Sequence, residues 1–329
     1  MAKVGIIGAG SWGTALALVL HDNGHEITMW SLQQSDVDSL RETGENPRFL
    51  PGVKLPADLR YTADLAEAAR GKDYLVMVVP SHAMRGVTEN LQGLAEPQTM
   101  FVSAAKGFDV QTHSRMSELL AEAFPHNRVA VLSGPSHAEE VSRKIPTAIV
   151  AASADKEAMH AVQELFSNGY MRVYANPDVV GVELGGALKN IIALASGICY
   201  GQGFGDNTEA AVLTRGLTEI VRLGVKLGAA EATFYGLSGM GDLVVTCGSR
   251  HSRNRTAGIM LGQGKKLADV QREMGMVVEG INAAGIAYKL AQENGVEMPI
   301  TECIYRLLYE DLPVDALPDL LMQRDKKAE

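Results

Sequence analysis

The sequence predicts an α/β N-terminal domain built on a doubly wound parallel sheet, followed by an all-α C-terminal domain. Three observations carry that prediction. Short apolar runs alternate with helical segments through the first part of the chain. A glycine-spaced turn joins the first such run to the first helix. After Asn176-Pro177 the strand-like runs largely disappear and long helical patterns take over. The chain is accordingly divided into residues 1–177 and 178–329, two domains being what 329 residues suggest.

Lys3 to Ile7 is a short apolar run, as a buried parallel strand should be, and Gly8, Gly10 and Gly13 follow it as G-x-G-x-x-G. Thr14 to Leu20 is helical, Gly24 ends that helix, and Glu26 to Trp30 is the second strand. Glycines at this spacing inside a βαβ unit serve the tight turn, the close approach of backbone to a pyrophosphate, and helix packing. The domain therefore reads as Rossmann-type, with the helix N-terminus offering N–H groups to a diphosphate. The acidic residue that ordinarily ends the second strand and holds the NAD ribose is absent; Ser31 and Leu32 stand there, and Glu26 comes too early. No arginine stands there either, the nearest being Arg41. NAD and NADP both remain open.

The alternation continues with strands at Asp73–Val79, Thr99–Ser103, Arg128–Leu132, Thr147–Ala151 and Met171–Tyr174. Ligands of such sheets sit beyond the carboxyl ends of the strands. Polar residues at those ends are Ser81-His82, Lys106, and the run Gly134-Pro135-Ser136-His137-Ala138-Glu139. Ser136 and Glu139 also have the spacing of a helix capping box, which by itself accounts for both. Helical patterns then occupy 178–200, 208–227, 254–263, 280–294 and 300–310, and Gln323–Glu329 reads as a frayed charged tail.

Composition narrows the class. The chain is 46% hydrophobic and 21% charged with a net charge of −9, which disfavours nucleic acid and anionic membrane surfaces as partners. Three scattered cysteines form no framework and suit a reducing cytoplasm. Eight histidines show no metal spacing, so no metal is expected. The apolar N-terminus resembles a signal peptide only until Gly-Ala-Gly-Ser-Trp-Gly interrupts it, and no membrane-spanning segment is expected.

Candidate chemistry lies in the second domain. Lys189 is the only charged side chain from Leu184 to Cys199. A lysine in apolar surroundings loses its proton more easily and makes a good acid or base; alternatively its stem packs while its head snorkels to water. Asp242, after Gly239-Met240-Gly241, sits in a glycine-flexible turn, where it orients an ammonium or merely forms the turn. Ser249 to Arg255 carries three arginines and a histidine near a helix start. That is either an anion site suited to phosphate or a solvated basic loop.

Taken together, GAGSWGTALA, VVPSH, AAKG, SGPSHAEE, GVELGGALKN, GLSGMGDLVVTC, SRNR, VVEG and VEMPITE resemble the bacterial NAD(P)-dependent glycerol-3-phosphate dehydrogenases over nearly the whole chain. The resemblance implies an oxidoreductase that interconverts dihydroxyacetone phosphate and sn-glycerol 3-phosphate for phospholipid synthesis. It implies Lys189 as the catalytic proton donor and acceptor. Lys106, Gly134, Ser136, Asn190, Asp242, Thr246, Ser252, Arg253 and Asn254 are implied around the substrate. Gly8, Gly10, Ser11, Trp12, Gly13, Lys106, Ala138, Arg253, Val277 and Glu279 are implied around NAD or NADP. Leu32 departs from the basic or histidine residue common in the family. Two alternatives stand beside this reading. A phosphogluconate-type β-hydroxyacid dehydrogenase would pair the lysine with an asparagine four residues on, where this chain has Ala193. A non-catalytic dinucleotide sensor would have no use for Lys106, Lys189, Asp242 and Arg253. The oligomeric state, a homodimer included, is not legible.

Overall fold

The structure, a computed structural model, describes residues 1–322; the charged tail Gln323–Glu329 lies outside the described residues. The chain forms two compact units, Met1–Glu183 and Leu184–Glu329.

The first unit holds ten strands. In chain order its elements are β1 (Lys3–Ile7), α1 (Ser11–Asp22), β2 (Glu26–Trp30), α2 (Gln34–Thr43), β3 (Glu45–Asn46), β4 (Leu50–Lys54), β5 (Arg60–Thr62), α3 (Leu65–Ala69), β6 (Tyr74–Met77), α4 (Ser81–Leu91), β7 (Met100–Ser103), α5 (Met116–Ala123), β8 (Val129–Ser133), α6 (Ala138–Val141), β9 (Thr147–Ala152), α7 (Lys156–Phe166) and β10 (Met171–Asn176). Eight strands form one sheet in the order β10-β9-β8-β7-β6-β1-β2-β5. The chain winds one way from β1 to β2 and β5, then the other way through β6, so β1 is the topological switch point where such sheets bind ligands. Ile7 at the end of β1 pairs with Trp30 on one side and Met77 on the other. Alternate side chains enter two cores, one on each face: Val4, Ile6, Val76 and Val102 on one, Ile7, Leu75, Met77 and Phe101 on the other. That two-faced burial is why these strands read as continuous apolar runs.

Three departures from expectation concern local structure. The β8–β9 pair is antiparallel, the chain returning through the four-residue α6. The hairpin β3–β4 and the edge strand β5 carry no readable apolar run, with only one to two buried residues each. The capping box at Ser136 does not form. His137 is the N-cap of α6, with no side-chain cap bond, and the Ser136 hydroxyl instead donates to the Gly134 carbonyl at 3.0 Å.

The second unit is helical. Its elements are α8 (Val179–Gly201), which begins in the first unit, α9 (Asp206–Lys226), α10 (Glu231–Phe234), a π-helical turn (Leu237–Gly241), α11 (Asp242–Gly248), α12 (Arg253–Gly262), α13 (Leu267–Met274), α14 (Glu279–Asn294), α15 (Pro299–Tyr309) and α16 (Leu317–Met322). By length and composition α8 qualifies as a membrane span, against the sequence expectation, yet 89% of its apolar window is buried within the protein. It is a core helix. Glycines let other backbones press against it. A side chain on Gly258 would strike the Leu194 carbonyl, one on Gly262 the Ile198 carbonyl, and one on Gly280 would lie 2.5 Å from the Asn190 carbonyl.

Candidate active site

In the first unit the glycine turn has the geometry a dinucleotide needs. Gly8 has φ +126°, and a Cβ there would lie 2.9 Å from the Val78 carbonyl; a Cβ on Gly13 would collide with the Gly8 carbonyl. Helix α1 starts at Ser11 from an N-cap, Gly10, that offers no side chain to its amides, leaving the first-turn N–H groups to an anion. Trp12 follows, its indole Nε1 buried with no hydrogen-bond partner among the described residues. Across the switch point Lys106 donates to the Gly134 carbonyl at 2.9 Å, so Lys106, Gly134 and Ser136 form one cluster beyond β7 and β8. Ala138 opens α6 beside it, buried.

The loop carrying Lys106 is clamped by residues that spacing alone did not single out. Asp109 accepts two bonds from the Arg85 guanidinium, at 3.1 and 2.7 Å, and further bonds from the Thr112 amide and hydroxyl. Burial opposes ionisation of Asp109, but Arg85 and Thr112 hold its carboxyl at about 2.

In the second unit Lys189 does not snorkel. The residue is 6% exposed, and its ammonium donates to Asp242 Oδ1 at 2.5 Å and to the Thr246 hydroxyl at 2.7 Å. Thr246 in turn donates to the Asp242 backbone carbonyl at 2.6 Å. Asp242 and Thr246 lie one helical turn apart at the start of α11, so one short helix presents both to α8. The turn expected around Asp242 is therefore helical. The surroundings of Lys189 are also not simply apolar, because the buried Asp242 carboxylate and Thr246 hydroxyl face its ammonium.

A second polar chain runs alongside. Asn254 donates to Asn190 Oδ1 at 2.9 Å and accepts from the Gly280 amide at 2.9 Å. It thereby ties α8, beside Lys189, to the start of α14, where Glu279 is the first residue. Ser252 is the N-cap of α12, its hydroxyl accepting from the Arg255 amide at 3.2 Å. The basic run thus separates by role. Arg255 lies over the Tyr200 ring, 4.5 Å from its centroid, whereas Arg253 is exposed and touches the Val277 carbonyl at 3.3 Å.

At the end of β2 the structure supplies charges where the sequence showed none. The Ser31 hydroxyl donates to Asp36 Oδ2 at 3.1 Å, and Arg48 lies 3.3 Å from Asp36 Oδ1. Leu32 is 72% exposed and takes no part. Asp36 in the first turn of α2 was available as a signal; Arg48, in the β3–β4 turn, was not, because only the fold brings it there.

Comparison with known proteins is consistent over the full length. Residues 3–159 match the family model for the NAD-dependent glycerol-3-phosphate dehydrogenase N-terminus, and residues 178–319 match that for the C-terminus. A protein from Geobacter sulfurreducens named glycerol-3-phosphate dehydrogenase (NAD(P)+) is 52% identical, covering 99% of this chain and 98% of its own. One of the same name from Clostridium perfringens is 46% identical, covering 100% and 99%. The crystal structure of glycerol-3-phosphate dehydrogenase from Coxiella burnetii superposes with a TM-score of 0.95 at 38% identity, covering 98% of this chain and 99% of that one.

Proposed function

Because the chain belongs to the NAD-dependent glycerol-3-phosphate dehydrogenase family, we propose that it interconverts dihydroxyacetone phosphate and sn-glycerol 3-phosphate with a nicotinamide cofactor, NAD or NADP. The observation that carries the chemistry is the buried Lys189–Asp242–Thr246 arrangement. The nicotinamide, when bound, supplies a hydride to substrate C2 or accepts one from it. Protonated Lys189 gives its proton to the alkoxide oxygen developing at C2, so the ketone gains one hydride and one proton and becomes a secondary alcohol. In the other direction the neutral amine takes the hydroxyl proton. Asp242 and Thr246 fix the position of Nζ.

The residues present fit a dinucleotide. The backbone at Gly8 and Gly13 leaves no room for side chains, α1 presents uncapped amides, and the Trp12 indole N–H is unpartnered. We assign Gly8, Gly10, Ser11, Trp12, Gly13 and Ala138 to the cofactor, together with Val277 and Glu279. Lys106, Gly134, Ser136, Asn190 and Thr246 are assigned to the substrate, and Arg253 to the phosphate at the start of α12. Ser252 and Asn254 serve the same region by capping α12 and joining α8 to α14. The three cysteines, none of them in a disulfide among the described residues, fit a reducing cytoplasm. The test is to mix the protein with NADPH or NADH and dihydroxyacetone phosphate and follow the reduced-nicotinamide absorbance. Loss of absorbance that requires the phosphorylated ketone supports the reading. No loss with either cofactor contradicts it.

A further inference from the structure

The carboxylate and guanidinium at the end of β2 carry an inference about the cofactor's adenosine end. In a βαβ unit of this kind the ribose 2′ position lies just beyond the second strand. In this chain that place is Ser31, which follows Trp30, and Ser31 holds Asp36. The β3–β4 turn is fastened to the same place. Asn46, 4% exposed, donates to the Ala9 carbonyl at 2.9 Å and to the Thr14 hydroxyl at 2.8 Å, so the turn is pinned to the glycine loop itself. The Phe49 amide donates back to Asn46 Oδ1 at 3.2 Å, closing the turn around Arg48. The Arg48 guanidinium is braced on the Phe49 ring, 4.8 Å from its centroid, and its side chain is 63% exposed.

We propose that Asp36 and Arg48 form the 2′ subsite and make it accept both cofactor types. This rests on the dehydrogenase reading above. Arg48 has five N–H donors, and its ion pair with Asp36 is made through Nη1. The rest of the fork suits a 2′-phosphate, bidentately. With a bare ribose, Asp36 accepts the 2′-hydroxyl while Arg48 stays paired and balances its charge. An unopposed aspartate here would repel a 2′-phosphate; the ion pair removes that repulsion.

Binding of reduced cofactor, without substrate, tests this by nicotinamide fluorescence in wild type, Arg48→Ala, Arg48→Lys and Asp36→Asn. Adenosine 2′,5′-bisphosphate and AMP serve as competitors. Arg48→Ala should weaken NADPH and the bisphosphate by roughly 10-fold at low salt and leave NADH and AMP unchanged. Arg48→Lys should fall between, since it keeps charge but loses the fork. Asp36→Asn should weaken NADH and spare NADPH. Unchanged NADPH affinity in Arg48→Ala, or equal loss of both cofactors, overturns the proposal. If wild type binds both cofactors with this pattern yet never consumes dihydroxyacetone phosphate, the subsite stands and the dehydrogenase reading fails.

Discussion

At the scale of single residues, the account turns on Lys189 and its two partners. Lys189→Met replaces a buried stem by an apolar one of similar length. Activity should fall by roughly 10²–10⁴-fold, the range for a lost general acid, while NADPH still binds. Arg253→Ala should raise the Michaelis constant for dihydroxyacetone phosphate by roughly 10- to 100-fold, because a charge-assisted fork is lost. The same variant should barely affect unphosphorylated dihydroxyacetone, a poor substrate in any case; equal damage to both would move Arg253 to a cofactor or structural role. Lys189 was legible because it is the lone charge in an apolar run. Asp242 was legible as a carboxylate that orients an ammonium or forms a turn, but not as the partner of Lys189 in particular, since it lies 53 positions away. The cofactor end shows the same limit. The tip of β2 carries no acidic residue of its own; Asp36 reaches that tip from the next helix and Arg48 from a hairpin.

Among the elements, continuous or periodic apolar runs were readable and very short elements were not. Strands β1, β6 and β7 announce themselves as unbroken apolar runs. The hairpin β3–β4, two and five residues long, and the helices α11 and α13 carry no comparable pattern. The crossing of α8 and α12 is legible only in retrospect, as glycines four apart on each helix: Gly197 and Gly201 against Gly258 and Gly262. Because α8 carries Lys189 and α12 begins with Arg253, that crossing sets the distance between the proposed acid and the proposed phosphate anchor. Gly258→Ala would push a methyl into the Leu194 carbonyl. It should cost about 1–3 kcal/mol of stability and lower activity together, read from the denaturation midpoint and turnover. An unchanged midpoint would show that the crossing has slack.

For the molecule as a whole, a buried acid links stability to pH. Glu219 on α9 accepts from the Ile300 amide at 2.6 Å and from the Thr301 amide and hydroxyl, capping α15. Burial nevertheless pushes its carboxyl up to about 7, against those three bonds. Unfolded, it titrates near ~4.3. Between those values the folded chain holds the extra proton, so this stabilising contribution is complete at the acid end and is lost as pH rises toward neutrality. Wild type should therefore lose thermal stability relative to Glu219→Gln between about pH 4 and pH 7, and parallel profiles would contradict the assignment. The role of Lys189 is tested most directly by one measurement. Wild type and Lys189→Met, both loaded with NADPH, are given dihydroxyacetone phosphate while reduced-nicotinamide absorbance is followed. The account predicts rapid loss of absorbance in wild type, formation of sn-glycerol 3-phosphate, and almost no loss in the variant despite bound cofactor. Near-normal turnover by Lys189→Met would contradict it.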